Sequence, residues 1–302
     1  MLNLPKMFKE SKSVLIAGMG GGWDFMGGIP IAKSLPGRKI IFANYSAMCS
    51  DYVCELAPIS PYDLGKVKSY PEYYVSQFLG YPLYVIGRNG SQLVQKALKK
   101  LIEDHEIDTL IMIDGGVDSL MHGDEEGSGT ILEDSITLAA TKGITGVKKY
   151  LVSLGFGAET EEGVNHYRAL ENIAQLTKSD GLLGVCAITK RMKCYKHYRK
   201  IQRQAIERGA SPSHIHTKVM AAVEGQFGSK DLVYDTRLFQ STGEVFINPL
   251  MGLYWWFDLE KVVENNLFVT LLEKTNTYID AKMILRQNIN IMGQRKNMTI
   301  PL

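Results

Sequence analysis

The chain has 302 residues, 45% of them hydrophobic, and a formal net charge of +2. This length and apolar content are sufficient for a large core, either in one α/β domain or in a domain with a smaller lobe. The near-neutral charge disfavours nucleic acid or an anionic membrane surface as the main partner. Membrane insertion is also not expected, because no stretch approaches the roughly 18 apolar residues that span a bilayer. Four scattered cysteines, Cys49, Cys54, Cys186 and Cys194, predict no disulfide framework, so we expect a soluble cytoplasmic protein with reduced thiols.

Short apolar runs alternate with longer amphipathic stretches over residues 1–189. Near-continuous apolar runs of this kind are typical of parallel strands that are buried on both faces of a sheet. The pattern predicts an α/β fold with a doubly wound, mostly parallel Rossmann-like sheet. Helical segments predominate over residues 190–302, so we expect a mainly helical part packed on that sheet within a single domain, 1–302. The predicted strands are SVLIAG (13–18), KIIFAN (39–44), PLYVIG (82–87), TLIMIDGG (109–116), YLVSLGFG (150–157) and LLGVCAIT (182–189).

The first predicted strand leads directly into a glycine-rich stretch, AGMGGGWDFMGG (17–28). Loops at the carboxyl ends of parallel strands collect ligands, and glycines there let a ligand approach backbone N–H groups at a helix N-terminus. The alternative use of such glycines, close packing of a helix on a strand, needs only one or two of them. Six glycines therefore favour a ligand-binding loop. Its predicted ligand contacts are Gly18, Gly20, Gly21, Gly22, Trp23, Asp24 and Gly27.

The loop departs from the common nucleotide-binding fingerprints. Trp23 stands where a third dinucleotide-type glycine would be, and the next strand ends at Asn44 instead of an acidic ribose partner. No Gly-Lys-Ser/Thr sequence follows, which argues against a phosphate-binding P-loop. Asp24 would repel a pyrophosphate unless a cation lay between them. Ordinary NAD binding is therefore disfavoured, although Asn44 is retained as a predicted ligand contact.

The strand predicted over 109–116 leads into a second glycine-rich segment, DGGVDSLMHGDEEGSGTILED (114–134), which carries seven acidic residues. Carboxylates this close together repel one another unless a cation joins them. We expect Asp114, Asp118 and Asp124 to be catalytic and to hold Mg²⁺, which takes oxygen ligands and commonly bridges to phosphate. The same carboxylates could instead accept hydrogen bonds from sugar hydroxyls, or one could act as a general acid or base. Gly115 and Gly116 are predicted ligand contacts.

Other features have a simpler interpretation. The spacing of Thr130 and Glu133 predicts a capping box at the start of a helix over 131–141, which suits Glu133 better than catalysis does. A basic helix predicted over 190–208 is interpreted as a solvated face, and RNA binding is a minor hypothesis. The aromatic run LYWWFD (253–258) predicts core or a subunit contact, so a homo-oligomer is left open. Gly155 and Gly157, at the end of another predicted strand, are expected to line the same crevice.

Four segments together resemble the domain-of-unknown-function family 1152 (DUF1152), found in archaea and some bacteria. The resemblance covers nearly the whole chain and implies one intact domain in which the two glycine-rich segments share a site. It implies no reaction, because that family carries no activity to transfer. Trp23 stands where the family pattern leads us to expect a smaller residue, which implies a narrower loop or a stacked ring. The segments are GMGGGWDFMGG, DGGVDSLMHGDEEGSGTILEDSITLAA, SLGFGAETEEGVNHYRALENIAQL and WWFDLEKVVENNL.

These features predict an enzyme that binds a phosphorylated or ribosylated, nucleotide-like small molecule. The glycine loop would hold the anionic part of this ligand. Asp114, Asp118 and Asp124 would hold Mg²⁺ or the sugar hydroxyls, and one of them would activate water for hydrolysis or group transfer. Asp24 is the second-choice carboxylate. The alternative is a non-catalytic nucleotide sensor whose bound ligand alters oligomerisation or a partner contact.

Overall fold

The structure is a computed structural model that describes residue 8 and residues 10–20, 22–49, 53–55, 70–230, 245–289 and 294–300. Its centre is an eight-stranded sheet with the strand order β3-β4-β2-β1-β5-β6-β10-β7, and β8 pairs with β9 in a separate two-stranded sheet. The strands are β1 (Ser13–Gly18), β2 (Lys39–Ser46), β3 (Val53–Glu55), β4 (Leu83–Gly87), β5 (Thr109–Gly115), β6 (Lys148–Leu154), β7 (Leu182–Ala187), β8 (Gly228–Lys230), β9 (Val245–Ile247) and β10 (Leu253–Asp258).

Five neighbouring strands, in the order β4-β2-β1-β5-β6, run parallel. The chain builds outward from β1 through β2 to β4 on one side, and from β5 to β6 on the other. The strand order therefore reverses between β1 and β5, and ligands bind at such a switch point in open α/β sheets. The helices are α1 (Gly28–Lys33), α2 (Pro71–Leu79), α3 (Ser91–Asp104), α4 (Ile131–Thr141), α5 (His166–Lys178), α6 (Lys193–Glu207), α7 (His214–Val223), α8 (Leu259–Asn265), α9 (Val269–Leu272) and α10 (Tyr278–Asn288).

The sheet has a hydrophobic layer on each face. Leu15 and Ala17 of β1 pack into one layer, which includes the apolar sides of α3, α4 and α5. Val14 and Ile16 pack into the other, which includes α1, α2 and α6. Because side chains alternate along a strand, a buried run such as β1 supplies both layers. The expected doubly wound α/β fold with a helical C-terminal part is confirmed.

One strand of the eight-stranded sheet, and both strands of the two-stranded sheet, come from the part of the chain that we expected to be mainly helical. The aromatic segment Leu253–Asp258 forms β10, which lies antiparallel between β6 and β7. Tyr254, Trp256 and Phe257 of this strand are fully buried. The segment thus belongs to the core, as one of its two interpretations predicted.

The cysteines differ from the expected four reduced thiols. Cys49 and Cys54 are joined by a disulfide, whereas Cys186 and Cys194 are free and buried. None of the helices in the described part of the chain is long and apolar enough to cross a bilayer.

Candidate functional site

A cleft of about 490 Å³ opens at the carboxyl ends of β1 and β5, where the strand order reverses. Its described lining is strongly acidic, with seven carboxylates against one arginine and one histidine. Trp23 and Tyr278 contribute aromatic rings to the same lining. The acidic lining residues are Asp24, Asp114, Asp118, Glu133, Asp134, Glu159 and Glu162.

Two of the predicted site residues, Asp114 and Asp118, lie together in this cleft, and each is 2% exposed. Asp114 is the penultimate residue of β5, and its Oδ2 accepts a hydrogen bond of 2.5 Å from Ser119 Oγ. Asp118 begins a short 3₁₀ turn, and its Oδ2 accepts hydrogen bonds from Thr130 N (3.0 Å) and Thr130 Oγ1 (2.8 Å). Donors thus orient one oxygen of each carboxylate.

Asp24 and Glu159 approach the same point from other loops. Asp24 Oδ2 accepts a hydrogen bond of 2.5 Å from Gly20 N, across the glycine loop. Glu159, in the loop after β6, is 4% exposed. Its Oε2 accepts hydrogen bonds from Val117 N (2.6 Å) and Asp118 N (3.2 Å). Sequence reasoning did not find Glu159, although it follows a central strand at the same sheet edge as Asp114.

Asp134 completes the group from the first turn of α4. Its side chain lines the cleft and is 1% exposed, yet neither of its oxygens receives a hydrogen bond within the described part of the chain. One oxygen from each of Asp24, Asp114 and Asp134 can be chosen so that all three lie within 4.8 Å of one another. We call Asp24, Asp114, Asp118, Asp134 and Glu159 the carboxylate cluster.

The cluster has no adjacent positive charge within the described residues. Burial, the largest cause, raises the pKa of all five carboxyl groups above their usual values. For all of them except Asp118, repulsion between the carboxylates raises the pKa further, and for Asp134 this repulsion comes from Asp118, Asp114, Asp24 and Glu159 in that order. Such a cluster either keeps protons at neutral pH or takes up a cation.

The one arginine of the described lining is already engaged at the rim. Arg88 forms an ion pair with Glu133. It also donates to Tyr278 Oη at 2.7 Å and lies 4.1 Å from the centre of that ring.

Thr130 occupies the N-cap position of α4 but makes no capping hydrogen bond, because its hydroxyl donates to Asp118. The predicted Thr130–Glu133 capping box is therefore wrong.

His214, at the start of α7, lines the cleft and is oriented by a buried lysine. The Nζ of Lys218, whose side chain is 2% exposed, donates to Glu161 Oε2 and Ala158 O, both at 2.5 Å. The same Nζ lies 2.9 Å from His214 Nε2. Because a lysine ammonium can only donate, Nε2 accepts and the imidazole is neutral with its proton on Nδ1. Burial and then the charge of Lys218 lower the pKa of His214.

The glycine loop forms part of the cleft wall. Gly20 and Trp23 line the cleft, but Gly20 N–H is engaged by Asp24. A Cβ atom at Gly20 would lie 2.9 Å from Asp24 Oδ2 and 3.3 Å from Asp134 Oδ2, so this glycine lets the carboxylates approach. Gly22 takes a left-handed conformation with φ of +60°. Gly21 is outside the described residues.

The remaining predicted contacts of this loop are packing positions. A Cβ atom at Gly18 would lie 2.0 Å from Asn44 Oδ1, and one at Gly27 would lie 3.1 Å from Ile113. Asn44 is fully buried and donates to Gly22 O (2.9 Å) and Glu72 Oε1 (2.8 Å). The structure thus places Gly18, Gly27 and Asn44 behind the cleft wall, where they support the loop.

Some glycines of the later loops line the cleft, and others pack outside it. Gly115 lines the cleft. Gly116 lies against Glu159, since a Cβ atom there would be 2.1 Å from its carboxyl carbon. Gly155 and Gly157, with φ of +111° and +87°, pack outside the lining against α7 and His166.

A buried histidine that sequence reasoning did not assign supports the loop from the other side. His216 is fully buried, and its Nε2 donates to Trp23 O at 2.9 Å. Its Nδ1 therefore accepts from Tyr198 Oη at 2.6 Å. Burial lowers the pKa of His216 to about 4. The imidazole is therefore neutral near pH 7, and its hydrogen bonds to Trp23 and Tyr198 do not change with pH in that range.

The third predicted catalytic residue, Asp124, is not brought to the cleft. Arg295 donates to Asp124 Oδ1 through Nε (2.8 Å) and Nη2 (2.6 Å), and its Nη2 also reaches Glu125 Oε1 at 2.8 Å. Burial alone would raise the pKa of Asp124, but the hydrogen bonds and charge of Arg295 hold it below the usual value. Glu125 is buried. We call Asp124, Glu125 and Arg295 the arginine-paired loop.

Comparison with known proteins gives a family but no characterised relative. No curated protein and no solved structure matches the chain. Residues 62–293 match a family described as a protein of unknown function (DUF1152). The matched region contains Asp114, Asp118, Asp134 and Glu159, whereas Asp24 lies before it. Because the match extends over more than three quarters of the sequence, the chain belongs to the DUF1152 family.

Proposed function

We propose that the protein is an enzyme that binds a divalent cation, such as Mg²⁺, at the carboxylate cluster and acts on a phosphorylated or ribosylated small molecule. The observation that carries this proposal is Asp134, which is buried among four carboxylates without a donor or a cationic partner in the described residues. An ionised carboxylate in such surroundings is strongly unfavourable. A hard divalent cation prefers carboxylate oxygens and supplies the missing charge.

The arrangement of donors supports a cation as the missing group. Asp24, Asp114, Asp118 and Glu159 each have one oxygen oriented by the hydrogen bonds given above. Hydrogen bonds of this kind hold metal-ligating carboxylates in place in known metal sites. Opposite ligands of Mg²⁺ are about 4.2 Å apart, given metal–oxygen distances near 2.1 Å. One oxygen from each of Asp24, Asp114 and Asp134 lies within 4.8 Å of the other two, and this upper bound is close to that span.

The substrate class follows from the charge of the cleft. A phosphate group would be repelled by the acidic lining, because the one arginine among its described residues is paired with Glu133. Mg²⁺ commonly bridges one or two carboxylates to substrate phosphates, so a phosphorylated ligand would bind together with the cation. The volume of about 490 Å³ lies within the range of small-molecule sites. Trp23 adds an indole ring suited to contact with a base or a sugar ring.

The proposed reaction is hydrolysis or group transfer. A bound divalent cation polarises a phosphoryl oxygen and lowers the pKa of coordinated water. In this chain, a carboxylate oxygen of the cluster that does not bind the cation would take a proton from the attacking water. His214, held neutral by Lys218, lies at the rim as a second group able to move a proton.

The test begins with thermal unfolding of chelator-treated protein against nucleotides, sugar phosphates and dinucleotides, each with and without Mg²⁺. Product analysis then follows on the class that stabilises the protein only with Mg²⁺. Asp114→Asn should reduce turnover by at least about 10²-fold, because it removes a carboxylate at the reacting centre. Asp124→Asn, from the arginine-paired loop, is the matched control and should retain turnover.

Two results would count against the enzyme. If Asp114→Asn kept full turnover, the cleft would not be the site of the reaction. If a nucleotide bound tightly with Mg²⁺ and was recovered unchanged from the wild-type protein, the non-catalytic sensor would be favoured instead.

A further inference from the structure

A buried lysine outside the carboxylate cluster directs one of its hydrogen bonds at a residue of the cleft. The side chain of Lys218 is 2% exposed, and lysine is rarely buried to this degree unless it is paired. The three N–H groups of its ammonium have three acceptors: Glu161 Oε2 and Ala158 O, both at 2.5 Å, and His214 Nε2 at 2.9 Å. Glu161 compensates the charge of Lys218. The bond to Nε2 fixes the ring of His214.

This bond decides what His214 can offer to a ligand. The hydrogen bond at one nitrogen of a neutral imidazole sets which nitrogen has the proton. Because Nε2 accepts from Lys218, the proton is on Nδ1, at the ring edge that points away from Lys218. Within the described part of the chain, Nδ1–H has no acceptor, and the side chain is 34% exposed where it lines the cleft. His214 therefore offers one fixed donor there and no acceptor.

The backbone at His214 is held in place by the residues around it. Ser213 is the N-cap of α7, and its Oγ accepts from His216 N at 3.0 Å. The ring of His216 donates to Trp23 O, so the first turn of α7 is joined to the glycine loop. A donor that is ordered before binding avoids the entropy cost of fixing a flexible side chain. The position of Nδ1–H is thus set in the free protein.

The charge of the cleft indicates which ligand atom would meet this donor. Hydroxyl and amino groups of a ligand can donate to any of the seven carboxylates in the described lining. An anionic oxygen has fewer partners there, because Arg88 is paired with Glu133 and the hydroxyl of Thr130 donates to Asp118. Hydrogen bonds to an anionic oxygen are also stronger than those to a neutral one. A phosphoryl oxygen is therefore the acceptor that suits His214 best.

We infer that His214 binds a phosphoryl oxygen of the ligand through Nδ1–H, and that Lys218 is the positioning residue that fixes this donor. This inference rests on the proposed function and adds the side chain that contacts the phosphate from the α7 side of the cleft. It narrows the ligand class to phosphorylated molecules, because an uncharged riboside has no anionic oxygen. If Lys218 and His214 only stabilised the fold, removing Nδ1–H from a folded variant would leave phosphate affinity unchanged.

The first test uses the wild-type full chain with ¹⁵N-labelled histidine, and its probe is inorganic phosphate in the presence of Mg²⁺. Nitrogen chemical shifts distinguish a protonated from an unprotonated ring nitrogen, and His214→Gln identifies the signals of this residue. Near neutral pH, the ring should have its proton on Nδ1, and phosphate should shift the Nδ1–H signal. Phosphate that binds with Mg²⁺ but leaves this signal unchanged would overturn the inference and leave the proposed function standing.

Two substitutions of His214 separate the two edges of its ring. In His214→Asn, the amide N–H group can occupy the position of Nδ1. In His214→Gln, the longer side chain reaches the position of Nε2 and can accept from Lys218. Calorimetric titration with phosphate at saturating Mg²⁺ should show a loss of affinity of about 10-fold or more in His214→Gln, and a smaller loss in His214→Asn. Mg²⁺ affinity should stay at the wild-type value in both.

The control for these variants is His105→Gln, which removes a ring bonded to Tyr84 Oη outside the cleft lining. It should keep the phosphate affinity of the wild type. Equal phosphate affinity in folded His214→Gln and in the wild type would overturn the inference. Absence of Mg²⁺ binding to the wild type would overturn the proposed function together with it.

Lys218→Met tests the positioning role. It removes the ammonium but keeps an unbranched side chain, so the ring of His214 should show a mixture of both neutral forms and phosphate affinity should fall. A folded Lys218→Met variant that keeps the proton on Nδ1 and binds phosphate as the wild type does would contradict this role. If the variant does not fold, the His214→Asn and His214→Gln pair still decides whether Nδ1–H contacts the phosphate.

Discussion

Segment 114–134 supplies carboxylates to two places with opposite electrostatic surroundings. In the arginine-paired loop, Asp124 and Glu125 share the guanidinium of Arg295, and Glu125 is further satisfied by three N–H donors from His122, Gly123 and Asn172. In the carboxylate cluster, the residues of the same segment face one another across the cleft, and no ion pair joins them to a cation within the described residues.

This difference distinguishes carboxylates that stabilise the fold from carboxylates that are suited to binding a cation. A buried carboxylate with a guanidinium partner is compensated and needs nothing from solution, and breaking such a pair leaves a charge that destabilises the fold. A buried carboxylate among other carboxylates is compensated only by protons or by a cation from outside. Both places draw acidic residues from the same segment of the sequence, so the roles are distinguished by the pairing of the carboxylates.

The largest expected effect is an unusual dependence of stability on pH. The folded-state pKa values of the cluster lie above the ordinary values near 4, so the folded protein binds more protons than the unfolded chain. The contribution of these groups to stability is therefore fully present below about pH 4 and is lost as pH rises through their folded-state pKa values. Without cations, this contribution should be smaller at pH 8 than at pH 5.

Mg²⁺ should reverse this loss. A cation at 100 times its dissociation constant adds about 2.7 kcal/mol to the free energy of unfolding. Urea unfolding at pH 5 and pH 8, with chelator or with Mg²⁺, measures both effects. Asp134→Asn serves as the control, since it should reduce both the pH dependence and the response to Mg²⁺. Equal responses to Mg²⁺ in the variant and the wild type would contradict the assignment.

A smaller effect is expected from Arg295→Gln in the arginine-paired loop. It leaves Asp124, Glu125 and Glu171 without their shared guanidinium, and we expect a loss of about 2 kcal/mol in the free energy of unfolding. The remaining donors to Glu125 limit the loss. Cation affinity, measured by calorimetric titration, should stay at the wild-type value. A large fall in cation affinity of a folded variant would show that the two regions are not separate.

Thr130→Val tests a donor of the cluster with little change in side-chain shape. It removes the hydroxyl that orients Asp118 but keeps the backbone N–H bond to the same oxygen. Loss of such a supporting hydrogen bond typically weakens metal binding by roughly 10-fold or more. Titration with Mn²⁺ measures the change, and Thr160→Val, at a hydroxyl bonded to Gly157 O outside the cleft lining, is the control. Unchanged affinity in Thr130→Val would remove Asp118 from the ligands.

The smallest effect is expected from Asp124→Asn. The ion pair with Arg295 is partly solvated, and Arg295 keeps Glu125 and Glu171, so the loss should be at most about 1 kcal/mol. Thermal unfolding and Mn²⁺ titration check the variant together. If the Mn²⁺ affinity fell as far in Asp124→Asn as in Asp114→Asn, Asp124 would have to be counted among the metal ligands.

Much of the fold could be predicted from the sequence, because buried parallel strands are local apolar runs that end in glycine or a turn. β1, β2 and β4 to β7 were predicted with boundaries close to those observed. β10 was not predicted as a strand of the sheet, because its pairing joins residues 253–258 to β6 and β7, about seventy or more positions earlier in the chain. Aromatic content alone predicts that a segment is buried, but it does not indicate with which strands the segment pairs.

Only part of the carboxylate cluster could be predicted from the sequence. Asp114 is the penultimate residue of β5, and Asp118 and Asp24 follow their strands within short loops, so the topology of parallel strands brings them together. Glu159 has a similar position after β6 but was not identified from the sequence. Asp134 stands beside Glu133 in a helix start, where a capping interpretation concealed it. The pairing of Asp124 with Arg295, 171 residues later in the chain, has no local signal and could not be predicted from segment 114–134.

The most direct measurement is calorimetric titration of Mg²⁺ into chelator-treated wild-type protein, Asp134→Asn and Asp124→Asn under identical conditions. The account predicts saturable binding to the wild type, its loss in Asp134→Asn and its retention in Asp124→Asn. Binding that is absent from the folded wild type, or that survives Asp134→Asn unchanged, would contradict a cation site at the carboxylate cluster.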